Sequence, residues 1–219
     1  MKSHLIKLTA SLAAFGFVTA TAHAVAVLTL SDGVNPIVIV NDNNLGVGAT
    51  TADGNASTLG ALSFNGTIGN WSINVAVGTT QPVETAPTPS MHLSSVNNSS
   101  GAGTMVVTFT DTFTFAQANK LLAGIGGAQP NGSVKYEVVV NGSVFNIGTS
   151  ALNPFAFSSG YIAYSAGTYD ITQRTTITHS AAGTTSVDAT VSRAPDAGST
   201  LALLGGALIG LGLIRRRIR

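Results

Sequence analysis

The sequence predicts an all-β fold: an antiparallel, jelly-roll-like β-sandwich of roughly nine to eleven strands. Three observations predict it. The body is rich in Thr, Ser, Asn, Gly and Val, a composition of strands and tight turns. Two segments carry hairpin signals, Gly69-Asn70 and Asn141-Gly142, each flanked by alternating apolar and polar residues. Turn residues recur at the short spacing of sandwich proteins.

The elements follow in order. Val25 to Leu30 and Ile37 to Val40 read as strands around a turn at residues 31–36. Residues 41–57 form a loop dense in Asn, Asp and Gly. In the hairpin Ala61 to Gly78, a two-residue loop pairs Ile68 with Trp71, Gly66 with Ile73, Phe64 with Val75 and Leu62 with Val77. That puts these residues on one buried face. Residues 81–90 hold three prolines and read as a connection. Met91 to Val96 is a short strand, and residues 97–103 a turn.

Thr104 to Phe115 alternates threonine with Val107, Phe109, Phe113 and Phe115. Asp111 interrupts the apolar side, which predicts a bulge or bend there. Ala116 to Leu122 is the one short helix expected in the body. Val134 to Ile147 is the second hairpin, with Tyr136, Val138, Val140, Phe145 and Ile147 facing the core. Tyr161 to Ser165, Thr168 to Ser180 and Thr185 to Arg193 complete the strands. A loop of Ala182-Gly183-Thr184 joins the last two as a hairpin. It groups Ile177 and His179 with Val187, Ala189 and Val191.

The two ends read differently from the body. Lys2 and Lys7 precede an apolar, Ala-rich run, and Ala22-His23-Ala24 fits the small-x-small cleavage rule. Residues 1–24 are therefore a signal peptide for Sec export, cut after Ala24. At the other end, Leu201 to Ile214 is an uncharged run closed by Arg215, Arg216, Arg217 and Arg219. Counted from Ala197 as a helix, it reaches about 27 Å, close to the roughly 30 Å of a hydrocarbon core. Gly206 and Gly210 form a GxxxG pair suited to a membrane helix. The arginines hold that end on the cytoplasmic side, which puts the body on the other side.

Ala194-Pro195-Asp196-Ala197-Gly198-Ser199-Thr200, the membrane run and the arginine cluster together resemble the PEP-CTERM class of bacterial sorting signals, in its VPDSG variant. Pro195, Asp196, Gly198, Ser199 and Thr200 match that pattern. Ala194 replaces its Val and Ala197 its Ser. The resemblance implies recognition by an exosortase, a membrane-embedded transpeptidase or protease, with cleavage near Pro195-Asp196. It implies passage through the inner membrane, delivery to the cell surface or extracellular matrix, and association with exopolysaccharide. The domain plan is thus a signal peptide (1–24), a β-sandwich ectodomain (25–193) and a sorting signal (194–219). Within the signal lie the motif (194–200), a transmembrane helix (197–214) and the arginine cluster (215–219).

Composition narrows the function of the body. The whole chain carries +1, but six of its ten cations lie in the two ends. Residues 25–193 hold four cations against eight carboxylates, a net charge of −4. That disfavours nucleic-acid binding, which needs clustered Lys and Arg. With no cysteine, thiol catalysis and a disulfide framework are excluded. No nucleophile elbow, H-E-x-x-H or P-loop is present, and nothing selects a triad around His92 or His179. No pair among the acids is singled out as a glycosidase pair. The expectation is a non-enzymatic surface protein without a cofactor. Asp32, Asp42 and Asp53 are weak calcium candidates in spacing unlike an EF-hand. The alternative is a carbohydrate-binding module, for which Tyr161, Tyr164 and Tyr169 are the candidate contacts, since Trp71 and Tyr136 fall on core faces.

Overall fold

The computed structural model describes residues 25–44, 46–81 and 90–194. The signal-peptide and sorting-signal expectations, including Ala22, Ala24, Pro195 to Thr200 and the arginines, lie outside the described residues. Thirteen strands are described rather than nine to eleven: β1 (Val27–Ser31), β2 (Val38–Asn41), β3 (Ala61–Ile68), β4 (Trp71–Thr79), β5 (Ser90–Ser99), β6 (Gly103–Phe115), β7 (Asn119–Ala128), β8 (Gly132–Val140), β9 (Ser143–Ser150), β10 (Phe155–Ser158), β11 (Ile162–Tyr164), β12 (Gly167–His179) and β13 (Gly183–Arg193).

They form two antiparallel sheets. One has the order β2-β1-β6-β12-β8-β9, the other β10-β7-β13-β5-β4-β3, with β11 sharing the edge of β7 with β10. The apolar residues of each strand alternate inward and meet in one core. Leu28, Val107, Phe109, Tyr136 and Ile177 come from the first sheet, and Leu62, Trp71, Leu93, Leu121 and Val187 from the second. Seven connections cross between the sheets, and four of them form arches: β5 to β6, β7 to β8, β9 to β10 and β12 to β13. In each sheet the strands of these four arches lie side by side.

The last of these corrects an expectation. β12 and β13 do not pair as a hairpin, since β12 pairs with β6 and β8 while β13 pairs with β5 and β7. Residues 180–182 carry the chain from one sheet to the other. Ile177, His179, Val187, Ala189 and Val191 still share the core, because two strands facing across a sandwich present their inner faces to each other as a hairpin's shared face would.

Three further expectations change. Residues 116–122 form no helix; β7 begins at Asn119 and runs between β13 and the β10–β11 edge. Glycines at 124, 126 and 127 disfavour a helix there, and a Cβ on Gly127 would strike the Ser186 carbonyl. β5 extends to Ser99, three residues beyond the expected end at Val96, because polar Asn97 and Ser99 point inward and find a polar interior. Asp111 makes no bulge. β6 pairs with β12 without a break from Gly103 to Phe115. The Asp111 side chain faces inward, accepting from Thr80 Oγ1 at 2.7 Å and from the Thr112 amide at 2.7 Å.

Both hairpins form, each with one slip of register. Ile68 faces Trp71 and Gly66 faces Ile73 as expected. Beyond that, Phe64 pairs with Ala76 and Leu62 with Gly78, because β4 holds one extra residue. The inward face therefore shifts from Trp71 and Ile73 of β4 to Gly78 and, just past the strand, Thr80. Gly78 lies under the ring of Phe109 from the other sheet: a Cβ there would stand 2.8–2.9 Å from three ring carbons. In the second hairpin Val138 faces Phe145, but Tyr136 faces Gly148, leaving Ile147 as the extra residue. Phe145 does not reach the core. It is 37% exposed, because β9 is the sheet edge and lies beyond the opposite sheet's cover.

A cleft at the sandwich edge

The residue assigned to carbohydrate contact by sequence that lies in an open site is Tyr161. It sits between β10 and β11, beside the edge strand β9. Together Val144, Phe145, Asn146 and Ile147 from β9 and residues 158–162 line a cleft of about 420 Å³. Its polar groups are Asn146, Ser158 and Ser159, and none of its lining residues is acidic.

Neighbouring anchors position Tyr161. The Ser159 amide donates to the Ala123 carbonyl at 2.7 Å, and the Ala123 amide donates back to Ser159 Oγ at 2.9 Å. On the other side, Ile162 is buried and pairs with Leu121 of β7. Tyr161, held between these two fixed points, is itself 62% exposed. Lys120, which points outward because Leu121 points inward, places Nζ 5.1 Å from the Tyr161 ring centroid. Val144 is 53% exposed, so two strand edges present apolar surface across one gap. On the inner side of the β9–β10 gap, Phe157 packs over Gly148, where a Cβ would approach the ring to 2.7 Å.

The other two tyrosines are elsewhere. Tyr164 is buried with its ring 4.1 Å from that of Phe115. Tyr169 lies 5.9 Å from both Phe115 and Tyr164, and its hydroxyl accepts from the Ser165 amide. They close the end of the core, so the three tyrosines do not form one surface. Sequence reasoning missed Phe145, whose alternation put it on the core face. Only its place on an edge strand exposes it, and strand order cannot be read from alternation.

The calcium candidates also separate. Asp32 caps its own turn, accepting from the Val34 and Asn35 amides and from Asn35 Nδ2. The Asn35 amide leads the contacts that hold its carboxyl below the ordinary value. Asp42 and Asp53 are both buried and meet in the loop before β3. Burial, opposed by the Gly60 amide and aided by the charge of Asp53, pushes the Asp42 carboxyl up. Asp53 accepts amides from Asn43, Asn55 and Ser63. Both oxygens of Asp53 and Oδ2 of Asp42 accept from backbone donors, while Asp42 Oδ1 is buried without a hydrogen-bond partner. Among the described residues no group of three or more His, Asp or Glu is arranged to hold a metal.

The histidines lie in different settings. His92 Nε2 donates to Asp188 Oδ1 at 2.8 Å on the outer face of the second sheet. His179 is buried between Ser99 Oγ and Thr185 Oγ1, each 2.6 Å away. Burial pushes its imidazole below the ordinary value, so it is neutral at pH 7. Glu137 lies between Lys135 Nζ at 2.8 Å and Arg174 Nε at 2.9 Å. Burial raises its carboxyl, but these two partners outweigh it and hold the group below its usual range.

The sorting motif is decided by comparison with known families. A model of the VPDSG-CTERM motif matches residues 195–218. The chain carries a VPDSG-CTERM sorting domain. Such a domain, of the PEP-CTERM type, implies export, transient membrane anchorage and processing by an exosortase-like membrane enzyme. The VPDSG-CTERM match begins one residue after Ala194, which is buried and donates its amide to the Lys120 carbonyl at 2.8 Å. The last described residue of the sandwich and the first residue of the match are thus consecutive in sequence.

Among solved structures, the chain is similar to the adhesin domain of Epf from Streptococcus pyogenes, with TM-score 0.39 and 7% identity. The match covers 77% of this chain and 57% of that one. The chain therefore spans little more than half of that structure's length. It is also similar to a carbohydrate-binding module of the beta-sandwich super family, with TM-score 0.30 and 11% identity, covering 77% of this chain and 84% of that one. No curated protein matches it in sequence.

Proposed function

We propose that the protein is an exported surface or extracellular-matrix protein, without enzymatic activity, built on a jelly-roll-like sandwich and trimmed by an exosortase. The observation that carries this reading is the junction at Ala194. The last buried residue among those described directly precedes the matched motif. Cleavage near Pro195-Asp196 would thus remove none of the described core. At the other end, cleavage after Ala24 would leave buried Ala26 and all of β1 in place. The side-by-side order of the four arches supports the jelly-roll connectivity.

The test is the intact mass of the protein recovered from its own host. A mature chain beginning at Val25 and ending close to Pro195 is expected. A chain still carrying Arg215 to Arg219 refutes the processing.

A second reading, carbohydrate binding, is favoured by one observation: the cleft that joins exposed Tyr161 and Phe145 to the polar side chains Asn146, Ser158 and Ser159. Sugar rings offer an apolar C–H face and a rim of hydroxyls, which this mixture suits. A glycan array probed with the wild type and Tyr161→Ala tests it. Binding that depends on Tyr161 supports the reading, and an array blank for both discards it.

A further inference from the structure

We propose that the cleft beside Tyr161 takes an acidic sugar, a uronate unit of a polysaccharide, whose ring stacks on Tyr161 and whose carboxylate meets Lys120. The proposal rests on the carbohydrate reading above and narrows it by charge.

The argument begins with where the cations lie. Lys135 and Arg174 both close on Glu137, so their charge is spent within the fold. Lys120 instead is exposed and stands over the ring of Tyr161, which lines the cleft. An ammonium over an aromatic face keeps its three donors for a further partner. The body as a whole carries −4 and repels polyanions at a distance. Attraction for an acidic polymer therefore has to be local, and the cleft is a place that permits it, since no carboxylate lines it. A planar apolar ring, a cation over one of its faces and neutral hydroxyl and amide groups lining the same cleft match the three parts of a uronate ring. These are its C–H face, its carboxylate and its hydroxyls.

The platform is also held ready. Ser159 and Ile162 fix the backbone on either side of Tyr161, so stacking costs little ordering beyond the side chain itself.

The experiment uses the full chain in detergent, with affinity electrophoresis through gels holding alginate or polygalacturonate against gels holding dextran or hydroxyethyl cellulose. Retardation by the two polyuronates, and little by the neutral polymers, is expected. Lys120→Gln should weaken polyuronate binding by about fivefold to tenfold and flatten its salt dependence. Tyr161→Ala should weaken it by about tenfold or more. Both side chains are exposed, so matching melting temperatures would confirm that the variants are folded. Equal retardation by neutral polymers, or a Lys120→Gln variant that binds polyuronate as the wild type does, overturns the proposal and leaves the carbohydrate reading intact. Retardation by none of the four polymers overturns both.

Discussion

The imidazole of His179 lies tilted against the indole of Trp71, ring centroids 4.8 Å apart, at the end of the core where β12 hands over to β13. His179 belongs to one sheet, while Trp71, Ser99 and Thr185 belong to the other. Two hydrogen bonds and one ring contact thus tie the sheets together through a single neutral side chain. The ring has a donor and an acceptor, and two hydroxyls that can play either role satisfy both.

This arrangement makes stability depend on pH. Burial lowers the folded-state value of His179 below its ordinary 6.5. The unfolded chain then binds a proton that the folded chain refuses, so stability is full above pH 6.5 and falls as pH drops below it. The slope approaches about 1.4 kcal/mol per pH unit for one proton. Denaturant melts at pH 7, 6 and 5 should show this decline, and His179→Gln should reduce it. A wild-type curve flat between pH 7 and 5 would contradict the assignment.

Gly78→Ala should destabilise the protein by about 1–3 kcal/mol, the usual cost of overpacking. The added methyl meets the Phe109 ring, which is fully buried and has no room to retreat. Combining it with Phe109→Leu should recover part of the loss, read as a double-mutant cycle in urea.

Thr80→Val should cost about 1–3 kcal/mol by removing a hydroxyl that donates to buried Asp111. The change is nearly isosteric, so packing is kept and the loss reports the hydrogen bond. A Thr80→Val variant as stable as the wild type would show that Asp111 is satisfied without it.

Millimolar calcium should leave the melting temperature unchanged. Asp53 already accepts three amides and Asp42 Oδ2 accepts that of Gly60, so of these two carboxylates Asp42 Oδ1 alone is without a donor, far short of the roughly six to eight oxygens calcium takes. Asp53→Ala, by contrast, should lower stability by about 2 kcal/mol or more, since it orphans amides that hold residues 43–63 together. A rise in melting temperature with calcium, lost in Asp53→Ala, would reverse the assignment.

Much was legible in the sequence. Alternation and two turn dipeptides settled the all-β class, because a strand's side chains point to opposite faces with a period of two. The same logic placed Trp71, Tyr136, Phe109 and the apolar residues of β13 in the core. The sorting motif was legible too, being a linear signal that needs no fold to be recognised. Tertiary structure alone decided which strands are neighbours, and so that β12 and β13 face each other rather than pair. It decided where extra residues slip the register of β4 and β9, and that Asp111 finds a hydroxyl inside. It also brought Phe145 and Tyr161 to one gap while burying Tyr164. The physical reason is that alternation tells which face a residue takes on its own strand, whereas exposure depends on what lies across that face. That second quantity is set by strand order, which contacts between distant segments determine.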